Sequence, residues 1–538
     1  MRSRFRGRWL ALVAGSAAFI VLLPGALIRP LISEDAVEYL AIAHNWVEGH
    51  GFVNPIMLAF VLEGATPPLP AIATRGPVLP ILLSLPLSLG ASLQTLGLLH
   101  IALAASVVAG LFLVARRLMS SSTALGCALA FGWSLEWWRI SQAIVTEAVA
   151  VGAVLLAIAT VAQVGRSVPR AIGCAAIPIL GWLTRPNLVL LGVVVAGAVA
   201  WDLGRRRALG SWPLRAYLTT FAGAYLIISL GHQIATGFSP YAQYSVLTWS
   251  FSVADLQQYH ASSGRWIDFL WEHRSEVWIS IGRNLRGLGG VLLGSSSYNL
   301  VGWLALPALV RALRSGNLEL RTCALAALVL LLPILLMYGP NDPGRYAVTG
   351  VVALWLVAAS WIETVAGAAS RTKPARRLSA RFPWVPRPQM LAGVSMLILA
   401  SLNLPRMAEL TLPLYERSRE QGQIHLLGPW DAAARFFCSA IEPGAVVAAG
   451  PSPWAIHYWC GNPTMWTPND LRSERELRRF HREHRPLYII LEQERAVVLG
   501  DRARWLERVA HYQRWVLYRA RRGSIRESPR PLHQLASG

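Results

Sequence analysis

Apolar residues run along this chain in blocks longer than a strand or a buried core helix requires. Candidate spans lie at 9–29, 94–115, 121–136, 140–163, 168–183, 186–203, 216–234, 288–310, 322–338, 346–367 and 389–405. A helix crossing a bilayer needs ~20 apolar residues. Lipid offers no partner to bare backbone groups, so helices are the elements that fit. Two intervening stretches are long, 30–93 and 235–287, and the second is rich in Trp, Tyr and His. After Pro405 the pattern becomes polar and mixed in charge. There "GAVVAAG" (444–450) and "LYIILEQ" (487–493) read as short buried strands, with "SERELRRFHREH" (473–484) as the helix between them. The expected fold class is mainly α: a polytopic membrane protein of about 11 transmembrane helices with a small C-terminal extracytoplasmic α/β domain. The expected boundaries are 1–405 for the membrane domain, 406–522 for the α/β domain and 523–538 for a disordered tail.

Charge then orients the spans. The net charge is +21, yet charged residues are only 15% of the chain and apolar ones 54%. The basic residues sit in short clusters: Arg2, Arg4, Arg6 and Arg8; Arg116 and Arg117; Arg166 and Arg170; Arg205, Arg206, Arg207 and Arg215; Arg311, Arg314 and Arg321; and the segment around Lys373. With the N-terminus in the cytoplasm and eleven spans, nearly all of them fall inside, as the positive-inside rule requires. One span fewer scatters them over both sides. This placement argues for a multi-pass protein of the cytoplasmic (inner) membrane and against a nucleic-acid partner. It puts 30–93, 235–287, "GPNDPGR" (339–345) and the C-terminal domain outside. An oxidising compartment permits a bridge between Cys438 and Cys460 there, while Cys127, Cys174 and Cys323 lie in or near spans.

The chemistry concentrates in "SEDAVEYLAIAHNWVEGHGF" (33–52), directly after the first span. Ser33 can cap a helix whose first turn holds Glu34 and Asp35. Ala36, Leu40, Ala43 and Val47 repeat at helical spacing and offer one apolar face, with Asp35, Tyr39 and Trp46 near a second. Gly49 and Gly51 end it. A cap needs one acid, and this mouth holds several. Acids crowded at an apolar boundary tend to have raised pKa values, which suits proton abstraction. His44 and His50 lie near these acids without metal-ligand spacing. Glu147 in "IVTEAV" is costly to bury in lipid, and Arg75, Arg185 and Arg345 break the positive-inside pattern at expected outer boundaries.

Taken together, the Arg-rich start, the acidic helix, "TRGPVLPILLSLPLSLG" (74–90), the spans and the outer tail resemble the GT-C superfamily of integral-membrane glycosyltransferases. The resemblance is nearest to protein O-mannosyltransferase-like and aminoarabinose-transferase-like bacterial enzymes. It implies transfer of a sugar, with inversion, from a polyprenyl-phosphate donor to a lipid, glycan or protein acceptor at the outer face. Asp35 matches the family's general base, and Tyr39 its companion tyrosine. "GHGF" (49–52) matches the glycine-rich helix end and brings His50 among the substrate-binding positions. Arg75 with Pro77 and Pro80 matches the juxtamembrane segment, and Glu147 a second acidic position. "LTRPNL" supplies Arg185, and "GRYAV" supplies Arg345 and Tyr346, without the family's usual following prolines. Arginine holds phosphate bidentately, as a lipid-phosphate leaving group demands. No resident metal is expected from ligand spacing, although the resemblance tolerates a divalent ion. The alternatives are a lipid-linked-sugar flippase, a secondary transporter or an envelope scaffold. A transporter needs ionisable groups at mid-membrane, where these spans are clean.

Overall fold

The structure is a computed structural model that describes residues 2–27, 33–57, 65–206, 211–241, 274–293, 301–336, 343–372, 388–401, 404–405, 407, 409, 430–450, 452–467, 473–497 and 503–521. In chain order the helices are α1 (Arg2–Leu27), α2 (Glu34–Val47), α3 (Ala71–Thr74), α4 (Val78–Ser88), α5 (Leu93–Leu118), α6 (Ser121–Gly132), α7 (Leu135–Gln142), α8 (Glu147–Val164), α9 (Val168–Thr184) and α10 (Val189–Arg205). They continue with α11 (Trp212–Thr236), α12 (Arg274–Leu293), α13 (Val301–Arg314), α14 (Leu318–Leu336), α15 (Pro343–Ala369), α16 (Pro388–Ser401), α17 (Trp430–Cys438), α18 (Pro453–Cys460) and α19 (Glu474–His484). The chain forms two compact units: Met1–Leu31, Ala91–Tyr225 and Ile281–Ile424 make the first, and Ile32–Gly90, Leu226–Ser280 and His425–Gly538 the second.

The first unit is all helix. Among the described residues of the chain, seven helices are long and apolar enough to cross a membrane: Gly7–Pro24, Leu93–Leu118, Glu147–Val164, Pro186–Arg205, Trp212–Thr236, Leu318–Leu335 and Gly344–Ala369. The protein is a polytopic helical membrane protein. Three more expected spans, 121–136, 168–183 and 389–405, are shorter apolar helices here. The expected span 288–310 is described only at its ends. It falls on two helices, α12 ending at Leu293 and α13 starting at Val301. Its middle carries "GSSSYN" (294–299), residue types that disfavour helix, and those residues lie outside the described ones. Within this unit α1 packs on α5, α6 on α16, α8 on α9 and α14 on α15. The α6–α16 pair is close because both partners are glycine at the crossing. A Cβ on Gly126 would meet the Gly393 carbonyl oxygen at 2.7 Å, and one on Gly393 the Ser122 carbonyl oxygen at 2.7 Å, the small-residue packing that membrane helices favour. Arg321, grouped by sequence with the basic loops, is fully buried and donates to the carbonyls of Leu313 and Ser315, satisfying the end of α13.

The second unit holds the strands: β1 (Val53–Asn54), β2 (Ile56–Met57), β3 (Leu69–Pro70), β4 (Val447–Ala449), β5 (Thr464–Trp466), β6 (Tyr488–Glu492), β7 (Leu506–Tyr512) and β8 (Trp515–Ala520). The two strands and the helix expected from sequence are present as β4, β6 and α19. The helix starts with a capping box between Ser473 and Glu476. The sheet is wider than expected, in the order β2-β5-β4-β6-β8-β7. Its four strands β2, β5, β4 and β6 are parallel, and β8 and β7 add an antiparallel pair. One edge comes from residues 56–57, paired as Ile56↔Thr464 and Met57↔Met465. A disulfide joins Cys438 at the end of α17 to Cys460 at the end of α18, with Cα atoms 5.1 Å apart. The expectation of disorder for 523–538, and most of the second long loop, lie outside the described residues.

Candidate functional site

In the second unit the acidic helix folds as its sequence directs. Ser33 caps α2 by accepting from the Ala36 amide at 3.2 Å, and the chain leaves through Gly49 and Gly51 at φ +81° and +93°. The buried face differs from the one the apolar spacing suggests. Ala36, Val37, Glu38, Tyr39, Ala41, Ile42 and Ala43 are buried, whereas Val47 and Trp46 are exposed. A carboxylate, Glu38, sits in the middle of that face with no exposed surface.

Glu38 is the hub of a closed network. Arg75 donates to it twice, from Nε to Oε2 at 2.7 Å and from Nη2 to Oε1 at 2.8 Å. Asn54 Nδ2 donates to Oε2 at 2.9 Å and Trp454 Nε1 to Oε1 at 2.8 Å. Asn54 is itself fixed, donating to Thr74 Oγ1 at 3.0 Å and accepting from the Ile56 amide at 3.0 Å. Arg75 also reaches Asp35, with Nη2 2.6 Å from Oδ1, and its guanidinium lies over the Tyr39 ring, 5.6 Å from the centroid. Asp35, Glu38 and Tyr39 stand one turn apart on α2, so one arginine from the end of α3 can gather all three. Asp35 keeps 17% of its side chain accessible against 1% for Glu38, so it is the more accessible of the two acids paired with Arg75. Glu34 keeps exposed surface, but packing around its carboxyl, then the charges of Asp35 and Glu38, push it up to about 7 against the pull of Arg75. His50 and His44 are exposed around Glu48, at 3.6 and 3.0 Å.

A second cluster lies in the first unit. Glu147 opens α8, where the helix dipole favours a carboxylate, and it is fully buried. Arg185 Nη1 donates to its Oε1 at 3.0 Å, and Arg345 Nε donates to the same oxygen. Both guanidinium groups lie near the Tyr346 ring, 5.3 and 5.9 Å from its centroid. The backbone explains the convergence. Arg185 precedes Pro186, which drives it out of the helical region to φ −147°, ψ 134° and ends α9 there. Arg345 lies in the first turn of α15, beside Gly344. A Cβ on Gly344 would come within 2.6 Å of Glu136 Cδ, so glycine admits a second buried carboxylate next to Arg345. Glu136 Oε1 in turn accepts from Arg139 at 3.4 Å. Arg185 and Arg345 share the buried Glu147, and the second buried carboxylate, Glu136, stands beside Arg345.

The structure thus groups Asp35, Tyr39 and Arg75 within the second unit, and Glu147, Arg185, Arg345 and Tyr346 within the first. His50 is described only with Glu48. Sequence reasoning missed Glu38, Asn54, Trp454 and Glu136. Only Glu38 carried a signal, its position three residues after Asp35 on the same helix. Among the described residues no group of three or more His, Cys, Asp or Glu side chains is placed to hold a metal ion.

Comparison with known proteins places the fold. No family model matches the chain, and no curated protein sequence matches it. Solved structures do match. ArnT from Cupriavidus metallidurans bound to undecaprenyl phosphate aligns over 94% of this chain and 97% of its own, at TM-score 0.52 and 14% identity. The oligosaccharyltransferase AglB from Archaeoglobus fulgidus, in complex with an inhibitory peptide and a dolichol-phosphate, aligns over 91% of this chain and 71% of its own, at TM-score 0.53 and 11% identity. The apo form of the Archaeoglobus fulgidus enzyme gives TM-score 0.55 at 10% identity. The chain has a GT-C-like fold.

Proposed function

We propose that the protein is a membrane glycosyltransferase that moves a sugar, with inversion, from a polyprenyl-phosphate donor to an acceptor at the outer face of the cytoplasmic membrane. The observation that carries this reading is the convergence of Arg185 and Arg345 on the buried Glu147. Glu147 holds the two guanidinium forks side by side, and donors of this kind suit a lipid phosphate whose negative charge grows as the glycosidic bond breaks. The likeness to folds that hold undecaprenyl phosphate and dolichol-phosphate supports the donor class. The disulfide of the C-terminal domain supports an oxidising compartment.

Asp35 is assigned the acceptor's proton. The acceptor hydroxyl loses that proton to the carboxylate, its oxygen bonds to the anomeric carbon, and the lipid phosphate leaves with the bonding electrons. Arg75 was expected from sequence to hold substrate phosphate, but its described bonds go to Glu38 and Asp35. Its proposed role is to aim Asp35. Tyr39 packs under that guanidinium. Asp35→Asn keeps size and leaves the Ser33 cap in place but gives up the ion pair to Arg75, so the purified variant should stay folded at a somewhat lower melting temperature. It should lose about 10²–10⁴ in transfer from a polyprenyl-phosphate sugar. Near-normal turnover would sink the assignment, and donor translocation without transfer would return the flippase or transporter reading.

A further inference from the structure

The α/β sheet of the second unit has a feature that the proposed reaction does not use. Strands β5 and β6 lie on opposite sides of β4, so the chain leaves β4 in one direction and returns on the other. In open parallel sheets such a reversal opens a crevice at the carboxyl ends of the strands, and ligands bind there. A cavity of about 310 Å³ occupies this position, within the range of small-ligand sites, ~300–1,000 Å³. Gly450 follows β4, Thr467 follows β5, and Ile490, Leu491 and Glu492 close β6. Arg495 and Trp515 complete the lining.

Its chemistry is specific. Thr467, a lining residue, is 1% exposed, and its buried Oγ1 has no hydrogen-bond partner. Leaving a buried hydroxyl unpaired is unfavourable, and a ligand hydroxyl would supply the missing partner. Glu492 and Trp515 are cross-strand partners, so a carboxylate and an indole stand side by side at the mouth. Arg514 lies over the Trp515 ring at 4.8 Å and 3.6 Å from Glu492. The lining therefore offers an acceptor, a donor, a hydroxyl-bearing residue and an aromatic residue, with Arg514 beside Glu492. That set suits neighbouring hydroxyls above a patch of C–H bonds.

We propose that this cavity is a carbohydrate-binding subsite that takes a single sugar residue, separate from Asp35 and from the Glu147 cluster. The full chain would be placed in phospholipid nanodiscs, since maltoside detergents would compete. Methyl glycosides of glucose, mannose, galactose, N-acetylglucosamine and arabinose would be titrated by saturation-transfer NMR. At least one should bind saturably. Thr467→Val, which keeps shape and removes the hydroxyl, and Glu492→Gln should each weaken it about tenfold at unchanged melting temperature. Asp35→Asn should leave this binding intact even as transfer is lost, so the subsite and the proposed reaction fail independently. The proposal is overturned if no glycoside saturates, if both cavity variants bind normally, or if inorganic phosphate displaces the glycoside.

Discussion

Replacing Glu38 with glutamine tests the network most directly. The change is nearly isosteric and removes one charge from a site with no solvent exposure. Each carboxylate oxygen accepts from two donors: Oε1 from Arg75 and Trp454, Oε2 from Arg75 and Asn54. Glutamine has one acceptor oxygen and one NH2 group. Whichever way it turns, the NH2 group faces two donors, so flipping cannot rescue it. Two hydrogen bonds are lost, two buried donors are opposed, and Arg75 keeps Asp35 as its remaining acidic partner. Removing one partner of a buried ion pair costs ~3–5 kcal/mol, in line with two charge-assisted bonds at ~1.5–3 kcal/mol each. For a unit of this size that lowers the melting temperature by roughly 6–20 °C. Differential scanning fluorimetry in detergent, followed through the second unit, reads the shift. Trp454→Phe in the Glu38→Gln background removes one opposed donor and should restore part of it. A Glu38→Gln protein melting within 2 °C of the wild type would show that the network contributes little and that α2 is held by its apolar contacts.

Other outcomes follow from the same geometry. Glu147→Met leaves two guanidinium groups without their shared counter-charge and should cost ~3–5 kcal/mol; Glu147→Met with Arg185→Met should recover part, and simple additivity of the two losses would refute the coupling. Glu34 has a raised folded-state value of about 7, so it favours the folded state below its ordinary value of 4.5 and loses that benefit as pH rises toward 7. The melting-temperature gain of Glu34→Gln over wild type should therefore be larger at pH 8 than at pH 5, and equal gains would remove the argument. Opening the Cys438–Cys460 bridge with the double Ser variant frees a loop of 22 residues and should cost about 3 kcal/mol, measured as a matching fall in melting temperature on reduction of the wild type.

Long apolar runs made the helical membrane class legible, because span length is set by bilayer thickness and needs no tertiary information. Of the run 288–310 only the ends are described, and its polar centre lies outside the described residues. In the tail, β4 and β6 were legible as continuous apolar runs, as buried parallel strands are. Strands β7 and β8 were not, because their turn at Gln513, φ 51°, uses no glycine to announce it. Strand β2 was invisible because two residues gain their strand character only from a distant partner. At the site, residue types at helix ends were readable, as Arg185 before Pro186 shows. The partner of each charge was not. Arg75 has carboxylates around it and not open space, and that depends on where Glu38 is buried, which no local pattern records.

The bond from Trp454 to Glu38 joins residues 416 positions apart, and the sheet edge at Ile56 waits for Thr464. At ~5–20 residues per second, synthesis separates the two halves of this network by about 20–80 s. During that interval α2 exists with its buried carboxylate lacking the Trp454 hydrogen bond and the β5 strand beside it. The acidic helix therefore reaches its final form only when nearly the whole chain has been made and the C-terminal segment has arrived on the same side of the membrane. Assembly order acts as a built-in checkpoint: a truncated chain holds every residue of α2 yet not the arrangement that fixes them, and chains cut before Trp454 are expected to insert but stay inert.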